Sequence, residues 1–184
     1  MDLDFRMHAE RTPNPNSIKW VLSDSVVEDG SAYFDVPPGR DVSPLAADLF
    51  AVPGVTGIFL GHHFVTVTKQ EDLEWADLAE PIVACIKAWA GSDEAALGDA
   101  YVAPDRSEDG EVVGRIRDIL ERDIRPYVAQ DGGEIIFAGF RDGVVEVYLQ
   151  GACAGCPSST VTLKMGIEAR LKEEIPEVTE VVAL

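Results

Sequence analysis

Between Gly91 and Gly110 the chain shows little hydrophobic period of any kind. The run Gly91-Ser-Asp-Glu-Ala-Ala-Leu-Gly-Asp-Ala100 and the residues after it are rich in Gly, Ser, Asp and Glu. Residues 91–109 therefore read as a flexible acidic linker. A chain of 184 residues is long enough for one good core or two small ones, and this break selects two. The expected units are residues 1–90 and 110–184, and the expected class is α+β.

In the first unit, Ile18, Trp20 and Leu22 alternate with other residues as in a half-buried strand. Tyr33 to Val36 reads as a second strand, stopped by Pro37-Pro38-Gly39. Ser43-Pro44 is a helix start, with a hydroxyl N-cap and proline at the first helical position. Ile58 to Leu60 and Phe64 to Thr68 form a hairpin around Gly61-His62. Trp75, Leu78, Ile82, Ile86 and Trp89 recur at helical spacing, with Pro81 expected to kink or restart the helix.

The second unit opens on Val112, Ile116, Ile119, Leu120 and Ile124, an amphipathic helix with Pro126 in its last turn. Asp131-Gly132-Gly133 breaks the pattern. Strands at 135–140 and 144–149 are joined across Arg141-Asp142-Gly143. A cysteine loop follows. A helix then runs from Pro157 to about Glu174, with Leu163, Ile167 and Leu171 on its buried face. Lys164, Glu168 and Lys172 are spaced to pair outside it. A last strand covers Val178 to Val182. The expected order is α-β-β-α-β.

The net charge is −18, from 15 basic and 33 acidic residues. Both units are acidic, so no basic patch suited to phosphate backbones is expected, and nucleic-acid binding drops out. The charge serves solubility, or docking to basic partner proteins. No apolar run reaches membrane-spanning length. Met1 to Glu10 shows no secretory signal, and three cysteines exclude a disulfide-stapled scaffold. The chain reads as soluble, in a reducing compartment.

Two of the three cysteines, Cys153 and Cys156, lie in Gly151-Ala-Cys-Ala-Gly-Cys-Pro-Ser-Ser159. At this spacing both sulfurs can turn to one point, and glycines at 151 and 155 permit the close backbone approach a metal loop needs. The following helix start favours thiolate over thiol. A closed four-thiolate site needs two more ligands, and Cys85 alone cannot supply them. A second copy of the chain across a two-fold axis completes the shell most simply. Three other uses of the pair stay open on spacing alone: dithiol–disulfide exchange, a zinc site shared by two chains, and a regulatory disulfide.

These residues resemble a known family. Arg125-Pro126, Asp131-Gly132-Gly133, Gly143-Val144-Val145, the segment from Gly151 to Lys164 and Ile175-Pro-Glu-Val178 are similar to the C-terminal domain of NifU-like (Nfu) iron–sulfur scaffold proteins. Thr12-Pro-Asn-Pro-Asn16, Ser43-Pro-Leu-Ala46, Leu49-Phe50, Gly54-Val55 and Phe64-Val-Thr-Val-Thr-Lys69 resemble the Nfu N-terminal domain. The resemblance implies a [4Fe-4S] cluster bridging two subunits, held by Cys153 and Cys156 of each, and handed to recipient apoproteins. It implies cluster-assembly proteins as further partners, and a setting in the bacterial cytoplasm or, for a processed eukaryotic protein, the mitochondrial matrix. The family commonly has Asp-Gly-Gly-Asp where this chain ends in Glu134.

Other residues carry plainer readings. Cys85 sits on an apolar helix face as a small hydrophobe. His62 and His63 read as a surface turn whose rings point to opposite sides. Asp131, Glu134 and Asp142 read as turn and strand-edge acids. Trp20, Trp75 and Trp89 read as packing. No nucleophile–base constellation is apparent, so no enzyme is expected.

Overall fold

The computed structural model describes residues 5–28, 30–102, 110–153 and 157–184, except the side chains of 157–160. Helices and sheets are mixed, and each half of the chain builds one sheet with its own hydrophobic cluster.

In the first half, β1 (Met7–Arg11), β2 (Ser17–Leu22), β3 (Ala32–Phe34), β4 (Val55–Leu60) and β5 (Phe64–Lys69) form an antiparallel sheet of order β1-β2-β5-β4-β3. The third strand is shorter than the expected Tyr33–Val36, because Asp35 and the prolines at 37 and 38 leave nothing to extend the ladder. The helices α1 (Pro44–Phe50) and α2 (Trp75–Ala90) cover one face. Trp20, Leu22, Ile58, Leu60, Val65 and Val67 point to them, together with Leu45, Leu49, Ile82 and Ile86. Of the kink or restart expected at Pro81, the restart does not occur: α2 is one helix through the proline. Burial of Leu78, Ile82 and Ile86 on both sides of the proline holds the two parts in one helix despite the missing backbone donor.

Ser43 caps α1 as its sequence implies: Oγ accepts from the Ala46 amide at 3.2 Å. The same hydroxyl donates to the Ala96 carbonyl at 2.7 Å. That bond draws part of the supposed linker onto the first unit. Gly98 and Ala100 amides donate to the carbonyls of Val42 and Asp41, Arg40 pairs with Glu94, and Tyr101 Oη donates to Ser31 O. The stretch is therefore fastened to the first unit about the buried Ala96, although Ser92 to Ala95 stay exposed. Ala96, Leu97 and Tyr101 supply the apolar contacts that the surrounding acidic composition conceals. Of the expected linker, 103–109 lies outside the described residues.

In the second half, α3 (Glu111–Ile119) passes into one π-helical turn (Leu120–Ile124) and then α4 (Arg125–Gln130). Pro126 explains the wide turn: it lacks an N–H and its ring would strike the carbonyl one turn earlier, so the helix opens by a residue. The hairpin β6 (Gly133–Arg141) and β7 (Val144–Gly151) turns through Asp142 at φ 52° and Gly143 at φ 83°. Both central residues of such a turn need positive φ, which Asp-Gly supplies. α5 (Pro157–Glu174) then crosses back so that β8 (Glu180–Ala183) lies parallel to β7. Ile116, Ile119, Leu120, Ile167, Leu171 and Ile175 close the core against Val145, Val147 and Val181.

Arg122 and Arg170 tie the π turn to α5 through Asp123 and Glu174. Arg122 first, and Arg170 with it, lowers the Asp123 carboxyl from 3.8 to about 2. A depressed acid stabilises the fold above its unfolded value and loses that contribution as pH falls through the folded one. Melting curves should therefore show wild type above Asp123→Asn at pH 5, and the two converging as pH drops toward 2. High salt should shrink the gap at pH 5, because the network is on the surface.

Candidate cysteine site

The site begins where β7 ends. Gly151, at φ 65°, turns the chain out of the strand, and the Ala152 amide donates to the Gly132 carbonyl at 3.2 Å. Gly132, at φ 75°, makes a matching turn between α4 and β6. The two turns touch: a Cβ on Gly151 would fall 2.6 Å from Gly132 O. A Cβ on Gly133 would fall 2.5 Å from Cys153 Sγ and 3.0 Å from Gln150 O. The cysteine sulfur thus rests on the backbone of Gly133, and Asp131-Gly132-Gly133, read from sequence as a simple break, is the floor of the cysteine loop.

Cys153 is 6% exposed and lines a cavity of about 220 Å³ with Pro13, Tyr127, Val128, Asp131 and Leu163. Cys156 lies outside the described residues, as do the side chains of Ser158 and Ser159. The backbone of α5 starts at Pro157, directly after Cys156. Among the described residues no three or more His, Cys, Asp or Glu side chains gather as a metal site. Nor does any helix there have the length and apolarity to cross a membrane.

Cys85 lies in the first core, far from this loop in fold position, with Sγ 3.8 Å from Asp48 O. Burial, then Asp48, pushes its thiol pKa up. His62 and His63 do sit on an exposed turn, but their rings meet edge to face at 4.2 Å instead of diverging. They lie between strands, outside the ladder that would alternate them, and His62 Nδ1 bonds the Val27 carbonyl at 2.6 Å. Trp75 donates to Pro15 O at 3.0 Å, and Trp20 is buried in the core.

Glu134 has the strand-edge place read for it, on the outer strand β6 of its sheet, but it is not solvated there. It is 4% exposed, on β6 beside the glycine floor, with Arg125 Nε 2.5 Å from its Oε1. Burial pulls the Arg125 pKa down, but Glu134 and Glu121 more than offset this and leave it raised. The pair fastens α4 to β6 under the cysteine loop. Lys164 reaches Glu180 on β8, while Lys172 and Glu168 pair as expected.

Three residues of the site's surroundings escaped the sequence reading: Lys19, Phe59 and Thr66. They stand in one cross-strand row, Lys19 opposite Thr66 and Phe59 opposite Thr66, on the sheet face away from α1 and α2. That face is covered by the second half. Lys19 Nζ donates to the carbonyls of Ala129 and Gln130 at 3.0 and 3.1 Å, and Thr66 Oγ1 to Gly132 O at 2.7 Å. A signal was present: Ile58-Phe59-Leu60 is apolar without alternation, the mark of a strand buried on both faces.

Comparison with known proteins places both halves. The NifU-like domain family matches residues 116–182, and the scaffold protein Nfu/NifU N-terminal family matches 7–93. The human mitochondrial NFU1 iron–sulfur cluster scaffold homolog is 42% identical over 94% of this chain and 69% of its own length. The Drosophila erecta counterpart is 42% identical, and the chain spans 63% of it. Mitochondrial NifU-like protein 4 of Arabidopsis thaliana is 39% identical over 94% of this chain and 63% of its own length. A solution structure of a NifU-like protein from Saccharomyces cerevisiae, 19% identical, aligns with a TM-score of 0.47 over 54% of this chain and 91% of that one.

Proposed function

We propose, because this chain belongs to the Nfu family of iron–sulfur cluster scaffold proteins, that Cys153 and Cys156 carry a [4Fe-4S] cluster between two copies of it and pass it to recipient apoproteins. The cluster is cargo. Recipient thiols replace the cysteine thiolates one by one, each giving its proton to the departing sulfur, with no change in oxidation state. Cluster-assembly proteins supply the loaded form, and a bacterial cytoplasm or mitochondrial matrix provides the reducing setting.

The observation that carries this reading is the ligand count. Cys85 is committed to the first core, so each chain brings two thiolates to the loop and a second chain must bring the rest. The surface beside the loop supports a second copy there. Tyr127, Val161 and Met165 are exposed on α4 and α5, whose other faces are buried. An apolar patch next to a half-complete ligand set suits a partner chain.

Anaerobic reconstitution with iron and sulfide is expected to give broad visible absorption, a dimer and about two iron per chain, from one four-iron cluster per pair. A colourless monomer would sink the proposal. A colourless product with about half a zinc per chain would favour a structural zinc site instead. Met165→Glu is expected to lower the dimer fraction and the iron content together by several-fold, read by sedimentation and iron assay, while leaving the apoprotein's melting temperature unchanged.

A further inference from the structure

The exposed face of an antiparallel sheet is ordinarily solvated and polar, with helices on the other side. Here the second face of the β2-β5-β4 ladder is dry. Lys19 is 9% exposed, Thr66 is 0% and Phe59 is 1%. Phe59 belongs to neither hydrophobic cluster, so its burial comes from the contact between the halves.

Each of the three meets a particular feature of the turn under Cys153. Lys19 donates to two carbonyls at the C-terminal end of α4, those of Gln130 and of Ala129, the latter also accepting from the Gly132 amide at 3.0 Å. Thr66 donates to the carbonyl of Gly132. Phe59 stands over Gly151, where an added Cβ would come within 3.2 Å of its own. The same row would crowd a side chain at Gly132, at 2.8 Å from Thr66 Oγ1 and 3.1 Å from Lys19 Cβ. Phe64 completes the surface beneath the Lys19 ammonium, 4.7 Å away. From the same half, Pro13 closes one wall of the cavity that Cys153 lines.

We propose that this sheet face is a receptor for the glycine turn beneath Cys153, and that its docking there and the holding of a cluster between two subunits exclude one another. The second clause rests on the function proposed above; the first does not. In the docked state Pro13 adds a wall to the cavity of Cys153, whose sulfur is otherwise buried by the second core, and the floor is clamped by three hydrogen bonds. A second chain can bring its own thiolates to the same cluster only where that wall is withdrawn. The exposed Tyr127, Val161 and Met165 remain open to a second subunit in the docked state; what the first domain withholds is the Cys153 cavity, one wall of which is Pro13.

The Lys19 amine reports docking directly. In wild-type apoprotein, acetylation by an N-hydroxysuccinimide ester, followed by peptide mass spectrometry, is expected to label Lys19 at least tenfold more slowly than the exposed Lys87. Equal rates would overturn the docking. In the iron-loaded dimer Lys19 is expected to approach the rate of Lys87, and retained protection would overturn the exclusion. A second measurement uses apoprotein only: Lys19→Ala with Thr66→Val is expected to speed iodoacetamide alkylation of Cys153 about tenfold, the loss of the clamp's hydrogen bonds. Cys85 serves as the internal standard of intact folding. An unchanged Cys153 rate beside an unchanged Cys85 rate would overturn the clamp. Failure of the protein to take up iron at all defeats the proposed function and leaves both apoprotein measurements to decide docking.

Discussion

Cys153→Ala or Cys156→Ala should reduce iron after anaerobic reconstitution from about two per chain to background, whereas Cys85→Ala should keep it. The difference is one of position and ionisation. With either loop cysteine gone, a pair of chains offers two thiolates where a closed site needs four. A cluster held by half its ligands is lost to solvent thiols during desalting. Cys85 lies within the first core beside the Asp48 carbonyl, and burial pushes its thiol pKa up, away from the form that binds iron. Its loss removes one small apolar group, at a cost of roughly 1 kcal/mol in stability. Iron assay and the visible spectrum of the three variants check this together. Iron retained in Cys153→Ala would remove the loop from consideration.

Gly133→Val is expected to be nearly as damaging without touching a ligand. A Cβ at 133 would sit 2.5 Å from Cys153 Sγ, 3.2 Å from Cys153 Cβ and 3.0 Å from Gln150 O. Two of these atoms are fixed by the β7 ladder and the loop that leaves it, so the loop must lift. We expect a loss of about 2–4 kcal/mol in stability, as for overpacking at a rigid site. Iron uptake should fall at least tenfold even at temperatures where the variant remains folded. Gly166→Ala is the matched control. Gly166 is on α5, a Cβ there meets nothing within 4 Å, and alanine is the better helix former. That variant should gain about 0.5–1 kcal/mol. Chemical denaturation of the two variants, with iron assay at a temperature where both are folded, distinguishes a packing defect at the loop from general sensitivity to lost glycine.

Much of this architecture was legible because local chemistry and tertiary context agree. Ser43-Pro44 starts a helix, Asp142-Gly143 turns a hairpin, and Leu163, Ile167 and Leu171 face a core, each by a rule that acts within a few residues. The cysteine pair was visible for the same reason, as spacing and flanking glycines are sequence properties. The misreadings share another cause. Pro81 does not restart α2, and residues 96–101 fasten to the first unit despite acidic composition, because in both cases partners far along the chain decide the outcome; Arg125, which pairs with the buried Glu134, is nearer but on another element. Lys19 is the clearest instance: its two acceptors lie 110 and 111 residues away, and nothing near Lys19 in sequence announces them.

The fastening of residues 92–101 to the first domain also sets how far the two halves can part. From Val102 to Gly110 a trans polypeptide cannot extend beyond roughly 30 Å. After any separation, the sheet face remains within a leash's length of its own glycine turn, at a local concentration on the order of millimolar. Recapture within one molecule is then faster than any encounter between molecules at cellular abundance. If the proposed transfer holds, a subunit relieved of its cluster would bring Pro13 back to the Cys153 cavity before it met another molecule.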